Sequence, residues 1–143
     1  ETTMDKKWIY YGVFFSDVTK RALLDYTAKL SVEKGFTIPE DWKIYGDHMT
    51  LVFNDRSEKA QEDAEFYEEQ LVGKDVSLRV THVGVSDRAV ALGVDYQTAN
   101  EHSHITIAIA PDAKPLESND ITNWMTTGGD FYVTGKVNKF VKH

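Results

Sequence analysis

Two stretches of this chain alternate with a period of two, and each carries the same polar pair on one side of the alternation. Ser103 to Pro111 reads Ser-His-Ile-Thr-Ile-Ala-Ile-Ala-Pro, and Gly46 to Phe53 reads Gly-Asp-His-Met-Thr-Leu-Val-Phe. A strand sends successive side chains to opposite faces. As strands, these stretches set His104, Thr106, Ala108 and Ala110 against Ile105, Ile107 and Ile109, and His48 and Thr50 against Met49, Leu51 and Phe53. The apolar sides supply a core and β-branched stiffness, while the alanines leave room for a ligand over the polar side. A chain so patterned needs a fold in which two strands each bury one face and present His-x-Thr on the other. Two related halves around one cleft satisfy that demand.

The rest of the chain supplies the frame. Trp8 to Phe15 is aromatic and β-rich and predicts a first strand. Ser16 or Asp17 caps a helix whose Val18, Ala22, Tyr26 and Leu30 form the apolar stripe and which ends at Gly35. Lys43 to Phe53 is the strand of the first motif. Asp55 and Glu58 make a capping box for a second helix, with Ala60, Ala64, Tyr67 and Leu71 facing inward and Gly73 closing it. Val76 to Val85 and Ala89 to Val94 form a hairpin around Ser86-Asp87-Arg88. Gln97 to His102 loops into the second motif, Ile121 to Met125 reads as a short helix, Gly128-Gly129 as a turn, and Phe131 to Val141 as the last strand. The expected fold is α+β, with mainly antiparallel sheet around a central cleft and helices outside.

Length and composition narrow the classes. The 143 residues suit one domain over 1–143, with residues 1–5 a tag remnant or a disordered end. The absence of cysteine excludes disulfides, thiolate metal sites and cysteine nucleophiles, and no apolar run nears the roughly 18 residues of a membrane span. These features predict a soluble, cytoplasmic, monomeric chain. A net charge of −7 argues against broad grip on a nucleic-acid backbone and favours a small or terminal phosphate as partner. No P-loop, dinucleotide fingerprint or Gly-x-Ser-x-Gly is present.

Paired imidazoles facing one phosphate have an evident chemistry. One takes a proton from the attacking oxygen while the other gives a proton to the leaving oxygen, and an ordinary His pKa near 6.5 lets the two states coexist near neutrality. Each Thr, two residues on and on the same face, can donate its hydroxyl to a non-bridging oxygen. His48, Thr50, His104 and Thr106 are therefore the candidate catalytic residues, working without metal or cofactor. A metal site drawn from Asp47, His48, His102 and His104 competes for two of the same side chains. Tyr10, Tyr11, Trp42 and Trp124 are candidates for stacking a base, Trp124 foremost because it adjoins a polar Gly-containing loop, and Lys136 and Lys139 for meeting a phosphate.

His48-Met49-Thr50-Leu51 and His104-Ile105-Thr106-Ile107 resemble the two signature motifs of the 2H phosphoesterases. Ser77 to Thr81 and Ser86 to Leu92, leading into the second motif, are similar to the cyclic phosphodiesterase module of plant and fungal tRNA ligases, a likeness that covers residues 43 to 119. The resemblance implies a bilobal, pseudo-two-fold fold and a metal-independent phosphoric diester hydrolase that opens a 2′,3′-cyclic phosphate on a nucleotide or RNA end. Nothing in the chain resembles a ligase or a polynucleotide kinase. Two alternatives keep the same residues. One is a phage nuclease that cleaves 3′,5′ linkages of cyclic oligonucleotide signals of bacterial immunity. The other is a nucleotide- or RNA-binding module without catalysis.

Overall fold

A computed structural model describes residues 8–100 and 102–142. The expectation for residues 1–5 falls outside that range, as do Glu101 and His143.

Among the described residues, seven strands and two helices follow one another as β1 (Trp8–Phe14), α1 (Asp17–Lys34), β2 (Lys43–Ile44), β3 (His48–Phe53), α2 (Glu58–Gln70), β4 (Asp75–Val85), β5 (Ala89–Val94), β6 (His104–Ile109) and β7 (Trp124–Val141), with a 3-10 turn at Pro115–Asp120. Every strand pairing is antiparallel. The strands lie in the order β2-β6-β3-β1-β7-β4-β5, and β5 also pairs with β6, so the sheet closes on itself. β7 is shared by both halves: Lys136 to Val141 runs beside β1, and Trp124 to Lys136 runs beside β4. The halves meet again where β3 touches β6, through the single pair Met49↔Ile105.

One core serves both halves. Trp8 and Val13 of β1, Met49 and Leu51 of β3, Leu78 of β4, Leu92 of β5 and Ile105 of β6 lie in one buried cluster with Leu23 and Leu30 of α1 and Ala60 and Ala64 of α2. Both helices thus pack on the side to which Met49 and Ile105 point, leaving the opposite side of β3 and β6 open. Ser16 caps α1 by accepting from the Thr19 amide, and Gly35 ends it in the left-handed conformation at φ 76°.

Local departures from the sequence reading have identifiable causes. The inward stripe of α1 is Leu23, Thr27 and Leu30, whereas Val18 is 81% exposed. Thr27 is tolerated in the core because its hydroxyl donates to the Leu23 carbonyl at 2.8 Å. The N-cap of α2 is Ser57, which accepts from the Ala60 amide, while Asp55 accepts from the Ser57 amide. The segment Lys43 to Phe53 is broken at Gly46, whose φ of 102° lies outside the extended region, so it yields two strands. Ile121 to Met125 is not helical; the helical turn lies earlier, and β7 already begins at Trp124. Gly128 and Gly129, at φ 97° and 74°, sit in a bulge inside β7 where residues 127–130 stand opposite Thr81.

Gly12 lies in β1 opposite Thr50, and a Cβ there would sit 2.8 Å from the Met49 carbonyl oxygen and 3.3 Å from the Tyr10 ring. Gly12→Ala must therefore push β1 from the motif strand. Thermal unfolding should report a loss of about 1–3 kcal/mol, the usual cost of overpacking.

Candidate active site

The two His-x-Thr units converge through register. Met49 is paired with Ile105 in antiparallel sense. One residue further in each direction, His48 stands opposite Thr106 and Thr50 opposite His104. Each imidazole thus shares a cross-strand position with the other motif's hydroxyl, on the face turned from the core. All four side chains are half-buried.

Both motif strands carry a β-bulge three residues after the His. On β3, Tyr11 pairs with Val52 and Gly12 with Thr50, leaving Leu51 as the extra residue. On β6, Val90 pairs with Ala108 and Ala91 with Thr106, leaving Ile107 extra. Strict alternation therefore ends after each Thr. Phe53 turns outward, at 58% exposure, and Ala108 turns into the main core. Ile109 crosses to the cleft side, joining Ala89, Ala91 and Ile121 in a second cluster against which Trp124 packs. The alanines expected to leave space on the polar face are buried instead.

The bulges expose backbone carbonyls, and each is satisfied by the segment leading into the opposite motif. The Leu51 carbonyl accepts from the Ala99 amide at 2.9 Å, and the Ile107 carbonyl accepts from the Tyr45 amide at 2.7 Å. These bonds hold the approach to His104 against β3 and the approach to His48 against β6.

The environments of the two imidazoles differ. His104 Nδ1 donates to the His102 carbonyl at 2.7 Å, which fixes this nitrogen as the N–H and leaves Nε2 for the cleft. His48 stacks against Tyr10 and Phe14, with ring centroids 4.8 and 5.8 Å away, and those two rings stack on each other at 5.9 Å, so the three form one cluster. Burial pushes both imidazoles below their ordinary pKa. Asp47 partly restores the charge on His48 while His104 opposes it; the His102 carbonyl partly restores it on His104. Burial and Asp47 also push the Tyr10 hydroxyl up to about 12.

The Thr106 hydroxyl is 3.0 Å from the Ser118 hydroxyl. Ser118 sits in the 3-10 turn, which Arg88 anchors through Glu117 and the Asp112 carbonyl. A cleft of about 260 Å³ opens beside His104, lined by Ala99, Asn100, His102, Ser118, Asn119 and Trp124. Trp124 donates to the Ile121 carbonyl at 3.1 Å and lies 6.4 Å, ring to ring, from His104. Among the described residues, no group of three or more His, Asp or Glu side chains is placed to hold a metal ion.

The structure thus gathers His48, Thr50, His104, Thr106 and Trp124 at one place and leaves Tyr11 and Lys136 aside. Tyr11 is 1% exposed on the opposite face, and its hydroxyl donates to Glu68 of α2 at 2.7 Å. Its neighbour Tyr10 is the cleft tyrosine. Lys136 lies on the cleft side of β7 opposite Phe14, two strands from β3, and its amine turns to Asp75 at 3.4 Å. Phe14 and Ser118 escaped the sequence reading, and of the two adjacent tyrosines it named, Tyr10 is the one at the cleft. Parity with the buried Val13 turns Tyr11 inward and Tyr10 outward, whereas Trp8 is buried at the opposite parity because the pairing with β7 shifts between Trp8 and Tyr10; Ser118 had no signal, since a turn brings it to Thr106.

Residues 29–139 match the family model of the fungal tRNA ligase phosphodiesterase domain. A solved structure titled as that of a fungal RNA kinase superposes with a TM-score of 0.60 at 16% identity, covering 95% of this chain and 46% of that one. The chain therefore spans about half the length of that protein, and the likeness is one of fold. No curated protein matches the chain.

Trp124 is seated on glycine. A Cβ on Gly84 would fall 2.5 Å from the indole ring and 2.8 Å from Ile121. Gly84→Ala should displace Trp124, read as a shift in tryptophan emission relative to wild type.

Proposed function

The chain belongs to the fungal tRNA ligase phosphodiesterase domain family, and from that premise we propose that it hydrolyses a 2′,3′-cyclic phosphate at a nucleotide or RNA end by paired imidazole acid–base catalysis. The observation that carries this reading is the register at Met49↔Ile105, which sets each His beside the other motif's Thr.

The proposed reaction needs little beyond these four side chains. A neutral imidazole takes a proton from water as its oxygen bonds to phosphorus. The opposite imidazolium delivers a proton as the bond from phosphorus to one ribose oxygen breaks. Charge accumulates on the non-bridging oxygens, where Thr50 and Thr106 donate. Ser118 supports this, since Thr106 can accept from Ser118 while giving its own proton to the phosphate. A catalytic role, as opposed to binding alone, is favoured because both His-Thr pairs are present and the His104 tautomer is fixed with Nε2 toward the cleft.

Turnover of 2′,3′-cyclic phosphates in the presence of EDTA is the direct test. His48→Ala and His104→Ala should each lower kcat/KM about 10²- to 10⁴-fold, and the double variant by less than the product, because the two act as a unit. Thr50→Ala and Thr106→Ala should be milder, each losing one hydrogen bond to a charged group worth about 1.5–3 kcal/mol. Near-unchanged turnover in either His variant, or strict dependence on an added divalent ion, would overturn the mechanism.

The pH profile of kcat/KM should be a bell whose maximum lies on the acid side of the ordinary His pKa, because burial lowers both imidazoles. Rate rises with pH as the base loses its proton and falls as the acid loses its own. Asp47 raises His48 alone of the pair, so Asp47→Asn should move one limb to lower pH. Movement of the alkaline limb identifies His48 as the acid; movement of the acid limb identifies it as the base. An unmoved profile would show that Asp47 exerts no field on the site.

A further inference from the structure

Beyond Trp124 and His102, which line the catalytic cleft, the surface opens into a second and larger groove of about 610 Å³. Its other walls are Thr81 and His82 of β4, Gly93 and Val94 of β5, and the loop Asp95, Tyr96 and Gln97. The two cavities share walls, so a ligand held in the first reaches the second without crossing bulk surface. We propose that this groove receives the base of the nucleotide next to the one carrying the reacting phosphate, making the preferred substrate an oligonucleotide and not a mononucleotide. The proposal rests on the phosphodiesterase reading above and deepens it.

Chemistry and shape select a base over a phosphate. Among the described residues no Lys or Arg side chain lines the groove, and Asp95 places a carboxylate on its rim, so a phosphate would meet one like charge and, apart from the imidazoles of His82 and His102, no group able to offset it. A nucleobase finds two aromatic rings, Tyr96 and Trp124, and hydrogen-bonding edges at Asp95, Gln97 and His82. The Asp95 carboxylate only accepts, so it favours bases that turn an N–H toward it. The Thr81 hydroxyl lies 2.9 Å from His82 Nδ1, leaving Nε2 as the ring's other polar atom. The groove also has room for a base: its volume is within the usual range of about 300–1,000 Å³ for small-molecule sites, whereas the catalytic cleft falls below it.

The wall is built in advance. The Ser103 hydroxyl donates to the Tyr96 carbonyl and lies 2.9 Å from the Thr98 hydroxyl, and the Val94 amide donates to the Ser103 carbonyl at 2.8 Å. The Ala99 amide is bonded to the bulge carbonyl of Leu51. The loop carrying Tyr96 and Gln97 is thus tied to both motif strands, one residue from His104 on one side and three residues from His48 on the other.

The test compares a mononucleoside 2′,3′-cyclic phosphate, a dinucleotide ending in the same cyclic phosphate, and a cyclic dinucleotide, each with wild type, His82→Ala and Gln97→Ala. The dinucleotide end should exceed the mononucleotide by about ten-fold or more in kcat/KM, the scale of one stacked base. Both variants should reduce that ratio while leaving the mononucleotide rate unchanged. A like preference for the cyclic dinucleotide in place of the linear end would assign the groove to a cyclic substrate and keep the proposal. Equal kcat/KM for mononucleotide and dinucleotides, or variants that slow all substrates equally, would overturn it. Calorimetric Kd values for a mononucleotide and a dinucleotide 3′-phosphate test the groove apart from the chemistry. A tighter dinucleotide with no turnover of any substrate would keep the groove and overturn the phosphodiesterase reading; equal Kd values would overturn the groove.

Discussion

The site depends on a reciprocal backbone brace. Each motif strand has one residue too many for its neighbour, and the carbonyl so freed would be costly if it stayed unpaired away from water. Leu51 is satisfied by Ala99 and Ile107 by Tyr45, so each motif's defect is repaired by the lead-in to the other. The bulges also set side-chain direction: polar before them, apolar on both following residues. Cleft and core come from the same four backbone groups, and the halves are fixed to each other more closely than the one pair Met49↔Ile105 alone would achieve.

Within that frame the two imidazoles are held differently. His104 is fixed by a hydrogen bond to the carbonyl two residues back, and His48 by its place in one ring cluster with Tyr10 and Phe14. A hydrogen bond fixes tautomer and orientation, whereas stacking fixes the ring plane and leaves both nitrogens available. Beneath them the second apolar cluster, Ala89, Ala91, Ile109 and Ile121, supplies a dry floor that strengthens any charge interaction above it.

Much of this was legible in the sequence. Period-two alternation, caps and turn residues gave most strands and both helices, and the duplicated His-x-Thr gave the four central side chains. The alternation misled where a strand took an extra residue: the composition of Ile107-Ala108-Ile109 reads equally well with or without a bulge, because all three are apolar. Lys43 to Phe53 read as one strand because a single glycine φ decides the break. Ser118 and the loop at Asp95 to Gln97 carry no local pattern; tertiary closure alone brings them to the cleft. Tyr10 and Tyr11 are adjacent and chemically identical, and only the direction of β1 relative to α2 distinguishes them.

β7 carries a consequence for how the chain reaches this state. It lies between β1 and β4 and pairs with both, so the first described strand gains its second neighbour only from the last. Until β7 is in place, β1 and β4 present open edges, and both halves of the ring are incomplete. Such sequence-distant pairing makes for slow folding, since loop closure must come before most contacts that reward it. On the ribosome, β1 and β4 emerge before their common partner. The interval before β7 arrives is the period in which this chain is most exposed to strand pairing with its neighbours and most dependent on chaperones.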